Sequence, residues 1–129
     1  MPTLLTKSLE NTKAAQELVN KRLYSASVHC AYYSCLQHIK HILHNKLNFD
    51  YAKQDNNTGK DSHLVIIDEI INKAPTSHQG KEIQNIIQWL KAERKRADYS
   101  VEIISDTESL DVIRKSETLH FKLKEIWKI

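Results

Sequence analysis

The sequence predicts an all-α fold: an up-and-down bundle of about five helices forming one domain over residues 1–129. Three observations predict it. Only two Gly and two Pro occur in 129 residues, whereas a sandwich or barrel needs a turn signal every ~8–12 residues. Apolar residues recur at three- and four-residue spacing along nearly the whole chain, the period of a helix buried on one side. Finally, 40% apolar residues with 27% charged describe a chain able to bury a core, not a disordered one.

Each element has its own signal. Leu5, Leu9, Thr12, Ala15 and Val19 mark a first helix near 3–20, with Pro2 tolerated at its start. Tyr24, Val28, Ala31, Cys35, Ile39 and Ile42, flanked by Tyr32, Leu36 and Leu43, give a second helix near 23–47. Its apolar face is wide, as a central helix requires. The pattern stops over 48–61, where Asp55-Asn56-Asn57-Thr58-Gly59-Lys60 is turn chemistry in a loop. Leu64, Ile67, Ile70, Ile71 and Ala74 place a short third helix at 62–74, opened by Asp61 or Ser62 and ended by Pro75. Thr76 or Ser77 opens a fourth at 78–99, with Ile83, Ile86, Ile87, Leu90 and Ala97, and Val101 as a further core position. Ser105-Asp106-Thr107-Glu108 is a capping box for a last helix at 106–127, which uses Val112, Ile113, Leu119, Leu123, Ile126 and Trp127.

The formal charge of +3 and a pI near 8.8 permit an anionic partner without announcing one; dedicated nucleic-acid domains are usually more basic. Cys30 and Cys35 sit five residues apart on one helix, which sets their Cα atoms ~8 Å apart, too far for a disulfide. Two reduced thiols, the lack of a signal-peptide pattern and the lack of a ~20-residue apolar span predict a cytoplasmic protein without a membrane segment. The three-residue spacing of His38, His41 and His44 is not the i, i+4 pattern of a zinc helix, so no metal site is expected. No nucleotide-loop or other cofactor motif occurs, and no cofactor is expected.

The most informative stretch is Glu93-Arg94-Lys95-Arg96-Ala97-Asp98-Tyr99. On a helical wheel starting at Ile83, Ile87 falls at about 40°, Leu90 at about 340° and Arg94 at about 20°, at 100° per residue. Arg94 therefore lies inside the apolar stripe, where an unpaired charge is very costly. Asp98, one turn on, is its natural partner. One reading is a semi-buried structural clamp. The other is a phosphate site, since the planar guanidinium fork grips phosphate oxygens in pairs. Lys95 and Arg96 point elsewhere on the wheel. A second stripe, His29, Tyr33, Gln37, Lys40 or His41, and His44, lies opposite the core face of the second helix and suits either solvent or a subunit interface. His63 opens the third helix, where the dipole lowers an imidazole pKa and favours a neutral base; a capping role is the plainer reading.

These residues carry a resemblance. Tyr24-Ser25-Ala26-Ser27-Val28-His29-Cys30-Ala31-Tyr32-Tyr33-Ser34 resembles the Y-x-x-A-x-x-x-x-Y-Y-A segment of small prokaryotic HEPN domains. Ser62-His63 is similar to the S/K-H pair opening their third helix, and Arg94-Lys95-Arg96-Ala97-Asp98-Tyr99 to their R-x-x-A-D-Y signature. The three occur in family order over about residues 20–100. The resemblance implies a helical bundle that forms a homodimer. It also implies an RNA-directed role in a toxin–antitoxin or defence system, as a metal-independent endoribonuclease or as a partner of a minimal nucleotidyltransferase. The family's active site is an Arg followed four to six residues later by a His. Arg94 matches the Arg; Asp98, Tyr99, Ser100 and Val101 stand where the His should be, and the next His is His120. On the resemblance, Arg94 would hold the scissile phosphate, with Tyr99, Asp98 or His63 orienting it or moving protons. His29, Tyr33 and Arg96 would line substrate or the dimer interface. The missing His implies the alternative of a non-catalytic nucleotide-binding or protein-interaction module.

Overall fold

The computed structural model describes residues 3–48 and 62–129. These form an all-α bundle: α1 (Leu4–Asn20), α2 (Tyr24–Asn45), α3 (Ser62–Lys73), α4 (Ser77–Tyr99) and α5 (Asp106–Trp127) are its five helices, with no strand among the described residues. The loop expected over 48–61 lies, Asn48 apart, outside them. Among the described residues, no helix is long and apolar enough to cross a membrane.

Local chemistry sets the ends. Thr3 caps α1 by accepting from the Thr6 N–H at 3.1 Å, and Thr76 caps α4 by accepting from Gln79 N–H at 3.1 Å. The capping box of α5 closes in both directions, Ser105 Oγ with Glu108 N–H and Glu108 with Ser105 N–H. The α1–α2 corner is a Schellman turn: Leu23 N–H donates to Leu18 O at 2.8 Å and Arg22 N–H to Val19 O at 2.9 Å. Arg22 takes the left-handed conformation there (φ 62°) that glycine adopts without strain.

α2 is the central helix. It buries Val28, Ala31, Tyr32, Cys35, Leu36, Ile39, Ile42 and Leu43, and every other helix packs on it. Ile66, Ile67 and Ile70 from α3, Ile83, Ile87 and Leu90 from α4, and Val112, Leu119 and Leu123 from α5 complete the core.

Three details depart from the periodicity reading. On α1 the buried positions are Ser8 and Ala15, whereas Leu9 is exposed. The reason is a seam of small residues: Ser8 Oγ donates to Ser34 O at 2.7 Å and Ser27 Oγ to Ala15 O at 2.8 Å, so α1 approaches α2 through hydroxyls and not through a leucine ridge. On α3, Ile66 is buried and Leu64 faces outward. Val101, expected in the core, is fully exposed, because α4 ends at Tyr99 and residues 100–105 leave the helical path.

Candidate functional site

Arg94 sits on the last turns of α4 with its face toward α2, and only 5% of it is exposed. Five of the other six residues singled out from the sequence meet around it. Its Nη1 donates to Tyr99 Oη at 3.3 Å and lies 3.6 Å from Asp98 Oδ2. Its Nη2 lies 3.4 Å from His63 Nδ1, on α3. Its guanidinium carbon stands 5.1 Å from the ring centre of Tyr32, 5.4 Å from Tyr33 and 5.6 Å from Tyr99, within cation–π reach of all three. Tyr33 in turn packs edge-on against His63 and 4.7 Å from the His29 ring.

The hydrogen bonds dictate protonation. A guanidinium can only donate, so His63 Nδ1 accepts from it, and the Tyr32 hydroxyl, 3.0 Å away, donates to the same nitrogen. His63 is thereby held as the tautomer with its proton on Nε2. Asp98 Oδ2 accepts from His29 Nδ1–H at 2.8 Å, and the His29 ring is 46% exposed. Burial works against the Arg94 charge, but the phenols of Tyr33, Tyr99 and Tyr32 offset it and push its pKa above the ordinary arginine value.

Arg94 is nevertheless poorly satisfied. All three of its polar contacts are longer than the ~2.9 Å usual for N–H···O bonds. Its Nε is buried with no hydrogen-bond partner among the described residues. A well-made buried ion pair would close those contacts. Compared with family models, curated proteins and solved structures, the chain matches none of them.

Arg96 stands apart from this cluster. It pairs with Glu93 at 3.2 Å and with Glu102 and Glu108, tying the end of α4 to the cap of α5. Its bond, with help from Ser105, draws the Glu108 carboxyl down to about 2. Arg96 is thus a brace for the segment that follows Tyr99, its Nε and Nη1 engaged by carboxylates.

The next histidine after Arg94, His120, belongs to a second polar cluster that the sequence did not reveal. His120 and His38 stack with ring centres 5.0 Å apart and Nδ1 atoms 2.8 Å apart. The Ile129 carbonyl, 2.6 Å from His38 Nε2, must accept. His38 Nδ1 therefore accepts from His120 Nδ1–H, and His120 Nε2 accepts from the Ser34 hydroxyl at 2.8 Å. Both rings are neutral in this arrangement, and burial lowers both pKa values, that of His120 to about 3. The pair borders a pocket of about 270 Å³ lined by Leu5, Leu9, Phe121 and Lys124 among others. Among the described residues no group of His, Cys, Asp and Glu is placed to hold a metal ion, and Cys30 and Cys35 are free thiols.

Proposed function

We propose that this chain is an RNA-directed, HEPN-type protein whose Arg94 anchors a backbone phosphate. The observation that carries the reading is the buried, under-satisfied guanidinium, ringed by Tyr32, Tyr33 and Tyr99 and flanked by His29, His63 and Asp98. An anion entering this site replaces the long contacts to Tyr99 and Asp98 with charge-assisted bonds of about 2.8 Å. Tyr99, 77% exposed on the last residue of α4, is the side chain that moves aside to admit it. The motif resemblance adds the wider setting: a homodimer in a toxin–antitoxin or defence system.

One observation favours a second reading. No histidine lies four to six residues after Arg94, and Asp98 already neutralises the cation in part. On that reading the chain is a non-catalytic module that binds nucleotide or a minimal nucleotidyltransferase partner.

The test is a cleavage and binding assay on a small-RNA pool, with the wild type and Arg94→Met, in the presence of a chelator. Cleavage that survives the chelator and vanishes in the variant supports the endoribonuclease. Binding lost in Arg94→Met without any cleavage by the wild type supports the module. RNA binding and cleavage unchanged in Arg94→Met overturns both.

A further inference from the structure

The motif histidine that sequence comparison looks for beyond Arg94 is absent, yet the fold delivers an imidazole to the same carboxylate that faces Arg94. Asp98 Oδ2 serves both His29 Nδ1 at 2.8 Å and Arg94 Nη1 at 3.6 Å. From this juxtaposition we infer that His29 Nε2 is the general base for cleavage of single-stranded RNA held at Arg94, and that Asp98 is its positioning residue. The inference rests on the phosphate reading of Arg94 given above.

Three features support it. His29 comes from α2 and Asp98 from α4, so the pair spans two elements of the rigid bundle, not a loop. The carboxylate fixes the tautomer: with the proton on Nδ1 bound to Asp98, the basic lone pair of Nε2 is presented away from the protein, and Nε2 has no hydrogen-bond partner among the described residues. The ring orientation is also held, by Tyr33 against its face at 4.7 Å. The charged groups facing His29 are Asp98 and, behind it, Arg94, both from α4. Asp98 stabilises the imidazolium that forms when the base takes a proton, and a phosphate on Arg94 does the same.

The step needs no metal. His29 Nε2 takes the proton of the ribose 2′-hydroxyl, and the 2′-oxygen forms a bond to the adjacent phosphorus. The P–O5′ bond breaks, its electron pair leaves on the 5′-oxygen, and water protonates that oxygen. The imidazolium returns its proton to the hydroxide so formed. The products are a 2′,3′-cyclic phosphate and a free 5′-hydroxyl, with Arg94 neutralising the charge that builds on the phosphoryl oxygens.

The experiment uses the full chain, chelator and a short end-labelled single-stranded RNA, with wild type, His29→Gln, His29→Ala, Asp98→Asn and Arg94→Met. Loss of a general base costs typically ~10²–10⁴-fold, so His29→Gln is expected to lower kcat by about that factor with RNA affinity unchanged. His29→Ala regains activity with added imidazole, which a merely structural role would not show. Asp98→Asn lowers kcat with KM little changed and shifts the acidic limb of the kcat–pH profile. A single 2′-deoxy substitution at the scissile nucleotide blocks cleavage but not binding. His29→Gln cleaving at the wild-type rate while Arg94→Met is inactive overturns the assignment of His29 and leaves the phosphate site standing. Wild type that binds RNA through Arg94 without cleaving it also removes the base role. Wild type that neither binds nor cleaves overturns the phosphate reading with it.

Discussion

Replacing Arg94 by Met separates a functional cation from a structural clamp through stability alone. Burying a charge costs several kcal/mol even after relaxation, and the cost is recovered only with excellent geometry. Here the geometry is poor: contacts at 3.3, 3.4 and 3.6 Å and an unpartnered buried Nε. An unsatisfied buried donor costs about 1–3 kcal/mol, roughly what three long contacts return at about 0.5–1 kcal/mol each. Met occupies similar space and keeps favourable sulfur contact with the Tyr32 and Tyr33 rings. The expected unfolding free energy of Arg94→Met is therefore within about 1 kcal/mol of wild type, or above it, as functional residues often oppose stability. Urea unfolding followed by far-ultraviolet circular dichroism at neutral pH measures it, with Asp98→Asn and the double variant alongside. A loss of about 3 kcal/mol or more in Arg94→Met, the cost of breaking a well-made buried pair, would refute the reasoning and make Arg94 a clamp.

Three further expectations concern the frame around the site. The half-buried His120 has its pKa lowered from 6.5 to about 3, so the unfolded chain takes up its proton first; stability is full above pH 6.5 and falls as pH drops toward 3, with a slope approaching about 1.4 kcal/mol per pH unit. Urea titrations across that range should show this slope reduced in His120→Asn, and equal slopes in both proteins would contradict the neutral histidine pair. Arg22→Gly relieves the left-handed strain at the α1–α2 corner and should add about 0.5–1 kcal/mol; a lowered Tm would show that Arg22 makes a contribution beyond its backbone. Arg96→Gln should lower Tm at low salt, with the difference from wild type shrinking at high salt, since Glu93, Glu102 and Glu108 hold it at the surface; a salt-independent difference would argue against the brace.

The helices were legible because their signals are local. The capping box at Ser105–Glu108, the wide apolar face of α2 and the position of Arg94 within the stripe of α4 all follow from spacing within one helix. The Arg94–Asp98 pair was legible for the same reason, being one turn apart. What spacing does not carry is which helices bring their polar residues together. His29 lies 69 residues from Asp98, and His120 lies 82 from His38; no single-helix pattern joins them. The α1 stripe held at Ala15 and Val19 but missed Ser8, which counts as polar by type although in place its hydroxyl is consumed by the Ser34 carbonyl, as the Ser34 hydroxyl is by His120, so that both behave as small buried groups. Arg96 already pointed away from Arg94 on the helical wheel, but its ties to Glu102 and Glu108 across the turn into α5 lie outside any single-helix pattern.

The serine seam has a consequence for how the molecule opens. α1 contributes only Ser8 and Ala15 as fully buried residues, with Val19 and other aliphatic side chains half-buried beside them. Part of its grip is hydroxyl-to-carbonyl, and water competes for such bonds. Opening of the α1–α2 contact is therefore expected to start at this seam. The departure of α1 removes Ser8 and Thr12 from Ser34 and widens the access of water to the ring of His120. Once wetted, the histidine pair takes up a proton and no longer welcomes α1 back. Mild acid thus acts first as a wedge at one seam of the bundle, while the Arg94 end, built from α2, α3 and α4, stays closed.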